Sequence, residues 1–311
     1  MIDKLLIKKT KLGTGATSTV YKVRNIFTQK GFLCLKILNN AVVSQGNENE
    51  TKKAKKKTFW EDVDDDDFGK DEEEEEIEIN VDLIRQLYLE YEILNNLQHP
   101  NIIKVYGFYY GDRKHNPAIL LEYCKTNLEN VINLLDDADL IGIIYEICSA
   151  MKYVHSKKII HRDLKMKNIL INSQKHVNIC DFGISKVMDV TTLTSMTHGV
   201  GTFAFMAPEI FKKNVKYTEK VDVYAFGVIL YFILTKGDYP EYNGSGNYEL
   251  LTLPRSINEL SSKIIKSCWS SFPENRPSFA DILKKIVDKN FALINGIEKE
   301  VPKIRKFLGL K

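Results

Sequence analysis

The run from Val221 to Leu234 is apolar almost without interruption, broken early by Asp222. It is too short to span a bilayer, which needs about 20 such residues. A helix that is hydrophobic on every side has to be enclosed by other elements. The run therefore predicts the centre of a large soluble domain. With 311 residues, 44% of them hydrophobic, the chain can form one large domain or two lobes with separate cores. Fibrous and wholly disordered classes are excluded by the same composition.

The first forty residues read as strands. Leu5 to Thr10 precedes a glycine-containing turn, Thr19 to Val23 alternates, and Phe32 to Leu38 is an apolar run. Residues 44–80 then break every pattern, with six Lys and fifteen Asp or Glu. Such a segment has too little apolar surface to offset its ordering entropy, so it reads as a charged insert. From Val81 to Leu97 apolar residues recur at helical spacing (Leu83, Leu87, Leu94, Leu97) up to His99-Pro100. Strands fit Ile102–Phe108 and Ala118–Tyr123. Helical patterns then cover Leu140–Ser156, Lys220–Leu234, Asn258–Ser267 and Phe279–Asn290. The expected class is α+β: a small lobe with an antiparallel sheet and one helix, a larger helical lobe, and a cleft between them.

The net charge of +3 hides a split, because outside residues 44–80 there are 38 basic against 26 acidic residues. A basic body suits polyphosphate ligands, and equally a solvated basic surface. Five cysteines (Cys34, Cys124, Cys148, Cys180, Cys268) show no C-x-x-C spacing, which argues against a disulfide framework or zinc site and for a reducing compartment. Met1-Ile2-Asp3-Lys4 has neither a signal-peptide pattern nor the glycine that myristoylation needs. The expected location is cytoplasmic; the Lys52–Lys57 cluster reads as a solvated stretch or as a nuclear import signal.

Phosphoryl transfer requires a grip on nucleotide phosphates, a divalent metal and a group that orients the attacking hydroxyl. The sequence holds candidates for each. Leu12-Gly13-Thr14-Gly15-Ala16-Thr17-Ser18-Thr19-Val20 would let backbone amides approach phosphate oxygens, although alone it is also a plain hairpin turn. Lys36, ending an apolar strand, is placed to neutralise phosphates or to snorkel from an edge, and Glu90 on the next helix is its candidate partner. In Ile160-His161-Arg162-Asp163-Leu164-Lys165-Met166-Lys167-Asn168-Ile169-Leu170 a carboxylate, a cation and an amide share one short polar loop. Asp181-Phe182-Gly183 follows. Asn168 and Asp181 offer the hard oxygens magnesium prefers, Asp163 a proton acceptor and Lys165 a cation for the moving phosphoryl group.

Taken together, these segments resemble the protein kinase signature set, from about Leu5 to Asp288. Gly201-Thr202 and Ala207-Pro208-Glu209 resemble the end of the activation segment, Asp222 the buried aspartate that anchors the catalytic loop, and Arg276 the partner of Glu209. The Trp269 and Arg276 segments look most like the tyrosine-kinase-like group of serine/threonine kinases. The resemblance implies a kinase domain at 5–288, divided into an N-lobe at about 5–122 and a C-lobe at about 123–288, with a tail at 289–311. It implies ATP and Mg2+ as ligands, with Cys34 against the adenine, Leu121 narrowing the rear of the pocket, and Glu122-Tyr123-Cys124 as the hinge. It further implies protein substrates; no nucleic-acid partner is expected, and no transmembrane segment, since the most apolar run is too short to span a bilayer.

Lys165 and Thr202 are typical of the serine/threonine type; tyrosine or dual specificity is the alternative. Lys167 stands where kinases preferring basic substrates often carry glutamate, so acidic or neutral peptides are the expected targets. Arg162 beside Asp163 suggests phosphorylation of the 184–200 segment, by an upstream kinase or by the chain itself, at one of Thr191, Thr192, Thr194, Ser195 and Thr197. A non-catalytic scaffold is the rival reading; such chains usually lose Lys36, Asp163 or Asp181, and all three are present. Cys34 and Cys180 border the expected nucleotide site and read as small core hydrophobes. The basic tail, with Phe291, Leu293, Ile297, Val301, Ile304 and Leu308, is suited to dock on the C-lobe or on a partner.

Overall fold

The computed structural model describes residues 9–28, 30–39, 42–44, 77–112, 114–182, 205–211, 218–241 and 252–310. The small lobe is built on five antiparallel strands in the order β1-β2-β3-β7-β6: β1 (Lys9–Thr14), β2 (Ser18–Arg24), β3 (Phe32–Leu38), β6 (Val105–Tyr109) and β7 (Ala118–Glu122). Strand side chains alternate between faces. Val23, Leu33, Leu35, Ala118 and Leu120 form a small core on one face, which leaves Cys34 and Lys36 on the other.

The first strand was expected over Leu5–Thr10, with a turn after it. Residues 1–8 lie outside the described set, and the strand runs on to Thr14. A register shift between Lys11 and Gly13 lets the ladder with β2 continue through the first glycine. The charged insert is another departure, because its two ends are paired. Val42–Ser44 (β4) and Ile77–Ile79 (β5) form a separate two-stranded antiparallel ladder. Residues 45–76, which include Lys52–Lys57, lie outside the described residues.

Helix α1 (Val81–Asn96) starts where Asn80 accepts a hydrogen bond from the Leu83 amide. It turns Leu87, Glu90 and Leu94 inward. After β7, the short strand β8 (Thr126–Asn127) pairs with β9 (Ile169–Ile171), which pairs with β10 (Val177–Ile179).

The large lobe centres on α3 (Asp137–Ser156), which follows the short helix α2 (Leu128–Val131), and on α4 (Lys220–Leu234). A reciprocal cap between Asp136 and Asp139 starts α3. Helix α4 is buried continuously from Val221 to Ile233, as its all-round apolarity requires. A Cβ at Gly227 would lie 2.7 Å from the Trp269 indole, so only glycine allows that ring to pack on α4. Helices α5 (Glu259–Cys268) and α6 (Phe279–Asp288) pack on α4 and α3 respectively.

Residues 289–310 fold back onto α3. Phe291, Leu293, Ile297, Val301 and Ile304 are buried, and the last helix, α7 (Val301–Phe307), lays Phe307 over Gly142 and stacks it on His176. Of the two docking options open to the tail, the structure has the one on its own large lobe.

Candidate active site

The glycine-bearing turn joins β1 to β2, closed by a hydrogen bond from the Gly15 amide to the Ser18 carbonyl (2.8 Å). Residues 11–17, from Leu12 through Gly13, Thr14, Gly15, Ala16 and Thr17, are exposed, whereas Ser18 and Thr19 are buried. It is a hairpin turn, and its second strand lies along Lys36: Val20 is the direct cross-strand partner of that lysine. The Thr19 side chain is turned away to Asn39, its hydroxyl donating to Oδ1 at 2.7 Å.

Lys36 is the junction between the lobes. Its Nζ lies 2.8 Å from both Glu90 oxygens and 2.9 Å from Asp181 Oδ1. Burial works against the charge on Lys36, but Glu90 and Asp181 outweigh it and hold the amine protonated well above the usual lysine range. Burial raises the Glu90 carboxyl, with Lys36 opposing the rise. The direct bidentate contact makes the protonated amine the side of this pair that governs. Because Glu90 sits on the inward face of α1, the position of that helix is tied to the position of Lys36.

Across the cleft, the loop between α3 and β9 gathers the second set. Lys165 Nζ donates to both oxygens of Asp163 at 2.9 Å. Asn168, in a 3-10 turn over Met166–Asn168, donates from Nδ2 to the Asp163 carbonyl (2.7 Å) and to its Oδ2 (3.0 Å). The two sets are joined through the backbone, since the Cys180 amide donates to the Asn168 carbonyl at 3.0 Å and Asp181 follows directly. Asp222 braces the loop from α4: it is 1% exposed and accepts from the amides of His161 and Arg162, each at 2.9 Å, with His155 Nε2 also at 2.9 Å. Arg162 and Asp181 both adopt left-handed backbone, with φ of 67° and 64°. Holding non-glycine residues there costs about 1–2 kcal/mol each, so the surrounding bonds have to impose it.

The segment between the lobes carries Glu122, Tyr123 and Cys124, and Leu121 pairs directly with Cys34 across β7 and β3. Burial pushes the Cys34 thiol up to about 11, with Lys36 opposing it. Burial, then Glu122, pushes Cys124 up to about 12. Cys180 is also held well above the ordinary thiol range by burial. All are free thiols, protonated near neutrality, as expected of small core hydrophobes. Arg276 meets Glu209 in a bidentate pair at 2.6 and 2.8 Å, with the Arg276 side chain fully buried. Lys167 is exposed, and its charge is partly offset by Glu129 at 3.9 Å. Gly183, the 184–200 segment, Gly201 and Thr202 lie outside the described residues.

Two contributors escaped sequence reasoning. His155 reaches Asp222 from the last turn of α3, and Asn178 on β10 donates to the Glu122 carboxylate at 3.3 Å. Neither carries a signal beyond being polar next to apolar runs. A cavity of about 510 Å³, lined by Lys9, Tyr21, Ile37, Lys114 and His115 among others, opens elsewhere on the small lobe and includes neither Lys36 nor Asp163.

Among the described residues, no cluster of three or more His, Cys, Asp or Glu side chains could hold a metal unaided. Magnesium takes one or two protein oxygens and completes its shell with water and substrate phosphates. The Asp181 carboxylate, 40% exposed, and the Asn168 amide are hard-oxygen donors of the right type.

A family model described as protein kinase domain matches residues 68–287. The chain is 31% identical over 219 residues to a tyrosine-protein kinase receptor, svh-2, of Caenorhabditis elegans, covering 64% of this chain and 20% of that protein. It is 36% identical over 206 residues to the RGS domain-containing serine/threonine-protein kinase A of Dictyostelium discoideum, covering 62% and 18%. It is 31% identical over 223 residues to the serine/threonine-protein kinase CTR1 of Arabidopsis thaliana, covering 66% and 27%. The chain thus spans less than a third of each of these relatives. The matched model extends over most of the chain, and the chain belongs to the protein kinase domain family.

Proposed function

We propose that this chain is an ATP-dependent protein kinase that transfers the γ-phosphate of ATP to serine or threonine hydroxyls. The observation that carries the reading is Lys36, held at once by Glu90 on α1 and by Asp181 across the cleft, with Asp181 tied through the Cys180–Asn168 backbone bond to the Asp163–Lys165–Asn168 cluster. Amides of the Gly13–Ser18 turn other than that of Gly15, which is already donated to the Ser18 carbonyl, bind the phosphates together with the Lys36 ammonium. Cys34, Leu121 and the backbone of Glu122–Cys124 enclose the base. Magnesium held by Asn168 and Asp181 would supply charge neutralisation at the phosphates. Asp163 orients the substrate hydroxyl. As its oxygen bonds to the γ-phosphorus, the bond to the bridging oxygen breaks, ADP leaves, and the hydroxyl proton passes to Asp163. Lys165 steadies the charge on the transferred group.

Lys167 supports a preference for acidic or neutral peptides, tempered by Glu129. The 184–200 hydroxyls are the proposed regulatory sites, modified by an upstream kinase or by the chain itself, with Arg162 as the cation a phosphate would offset. The five free thiols support a cytoplasmic setting; import to the nucleus through Lys52–Lys57 is the other proposed location. Among the described residues no helix is long and apolar enough to cross a membrane.

The likeness to a tyrosine-protein kinase receptor favours a second reading, tyrosine specificity. A peptide-library phosphorylation assay with Mg-ATP separates them. Phosphoserine and phosphothreonine products with few arginines upstream are expected. Phosphotyrosine alone would overturn the acceptor assignment, and strong upstream arginine selection would overturn the role of Lys167.

A further inference from the structure

Beyond the β1–β2 ladder and the hydrogen bond from the Gly15 amide to the Ser18 carbonyl, the glycine-bearing turn has little of its own to hold it in place. Residues 11–17 are exposed, and Gly13, Gly15 and Ala16 have no side chain that could bond. An unrestrained turn would spend much of its time away from the height at which its amides meet phosphate oxygens. Asn39 removes that freedom. It follows directly after β3, where Ser18 is paired with Leu38, so the chain there runs on opposite Thr17. Its backbone amide donates to the Thr17 carbonyl at 2.8 Å, extending the ladder one residue into the turn. Its side chain then uses both ends of the amide: Nδ2 donates to the Gly15 carbonyl at 3.2 Å, and Oδ1 accepts from the Thr19 hydroxyl at 2.7 Å. Among the described residues no other side chain hydrogen-bonds to the turn's backbone between Leu12 and Thr17.

We propose that Asn39 is a positioning residue for the nucleotide, bracing Gly15–Thr19 from behind so that the turn is set before ATP arrives. The proposal deepens the kinase reading and rests on it for the identity of the ligand. A ligand that binds a preset turn avoids the ordering cost that a loose one imposes. The residue type follows from the geometry. A side chain that donates and accepts at once can serve the Gly15 carbonyl while taking the bond that the Thr19 hydroxyl donates. Aspartate keeps the bond from Thr19 but turns an acceptor toward the Gly15 carbonyl, and alanine loses both. The brace also accounts for Thr19 being buried and turned away from the nucleotide side. Asn39 is anchored in turn by its neighbour, since the Asn116 side chain donates to the Leu38 carbonyl at 3.1 Å.

The test compares wild type, Asn39→Ala, Asn39→Asp and Thr19→Val, singly and with Thr19→Val combined with Asn39→Ala. The readouts are Mg-ADP affinity by titration calorimetry, steady-state KM for ATP against kcat, amide exchange at Gly15 and Asn39, and melting temperature. Loss of two neutral hydrogen bonds should weaken Mg-ADP binding and raise KM by about 5- to 30-fold. Exchange at Gly15 and Asn39 should quicken, with kcat changed less than KM. Adding Thr19→Val to Asn39→Ala should bring little more than Asn39→Ala alone. If Asn39→Ala melts too low for assay, the near-isosteric Asn39→Asp decides. Unchanged nucleotide affinity and unchanged exchange at Gly15 in a folded variant would overturn the brace. A wild type that binds no Mg-ADP would defeat the kinase reading instead, and the exchange rates would still decide whether Asn39 holds the turn.

Discussion

Asp222→Asn offers the sharpest test of how the fold holds its chemistry. In the native chain each carboxylate oxygen of Asp222 accepts a backbone amide, from His161 and from Arg162, at 2.9 Å, and His155 approaches the same group. Asparagine keeps one acceptor and turns a donor toward the other amide. One charge-assisted bond is lost and a buried N–H is left facing another donor, a loss of about 3–5 kcal/mol. For a domain of this size that corresponds to a fall of about 6–20 °C in melting temperature. The effect on rate should exceed the effect on fold. Arg162 is held at φ 67° next to Asp163, and once its amide is released the residue can relax toward ordinary backbone and carry Asp163 with it. A shift of about 1 Å at the carboxylate lowers kcat on the order of 100-fold. Calorimetric melting and initial-rate kinetics on the same preparations give both numbers. If Asp222→Asn melts within about 1 kcal/mol of wild type and keeps its kcat, the claim that Asp222 imposes the loop's geometry is wrong.

Three further outcomes follow from the packing and the buried charges. Gly227→Ala should destabilise by about 1–3 kcal/mol, because its Cβ would sit 2.7 Å from the buried Trp269 ring; chemical denaturation checks it, and a neutral result would mean the ring has room to move. Glu209→Gln should cost about 3–5 kcal/mol by leaving the Arg276 guanidinium buried without its counter-charge, and an unchanged urea midpoint would contradict that. Native-state alkylation at pH 7.5 should be slow at Cys34 and Cys124, whose thiols are pushed up to about 11 and about 12; labelling as fast as a free thiol's would refute the burial argument.

Much of this molecule could be read in advance where one physical signal dominated. Phe32–Leu38 and Lys220–Leu234 occupy the expected residues, because an apolar run has to be buried wherever the chain places it. Strand β1 was misjudged because Gly13 reads as punctuation, whereas the ladder passes through it by shifting register. The pairing of Val42–Ser44 with Ile77–Ile79 joins two three-residue strands across a long charged segment, too short a pattern to stand out. The tail could not be assigned to its own lobe or to a partner, since Phe291 and Ile304 would be buried either way. At the site, Lys36, Asp163, Asn168 and Asp181 stood out because they fall in short matched segments in a fixed order, from the glycine-bearing turn through the polar loop to Asp181-Phe182-Gly183. Asn39 and His155 did not, because their roles depend on what lies across the fold from them.

The central claim is that Lys36, Glu90, Asp163, Asn168 and Asp181 act as one phosphoryl-transfer centre. The most direct measurement is transfer of the γ-phosphate from labelled ATP to a generic protein substrate, comparing wild type with Asp163→Asn and Asp181→Asn at matched folding. Wild type should transfer phosphate, with Asp163→Asn slower by about 100- to 10,000-fold and Asp181→Asn without detectable transfer. Transfer at the wild-type rate by either variant, or none from a wild type that binds Mg-ATP, would contradict the account.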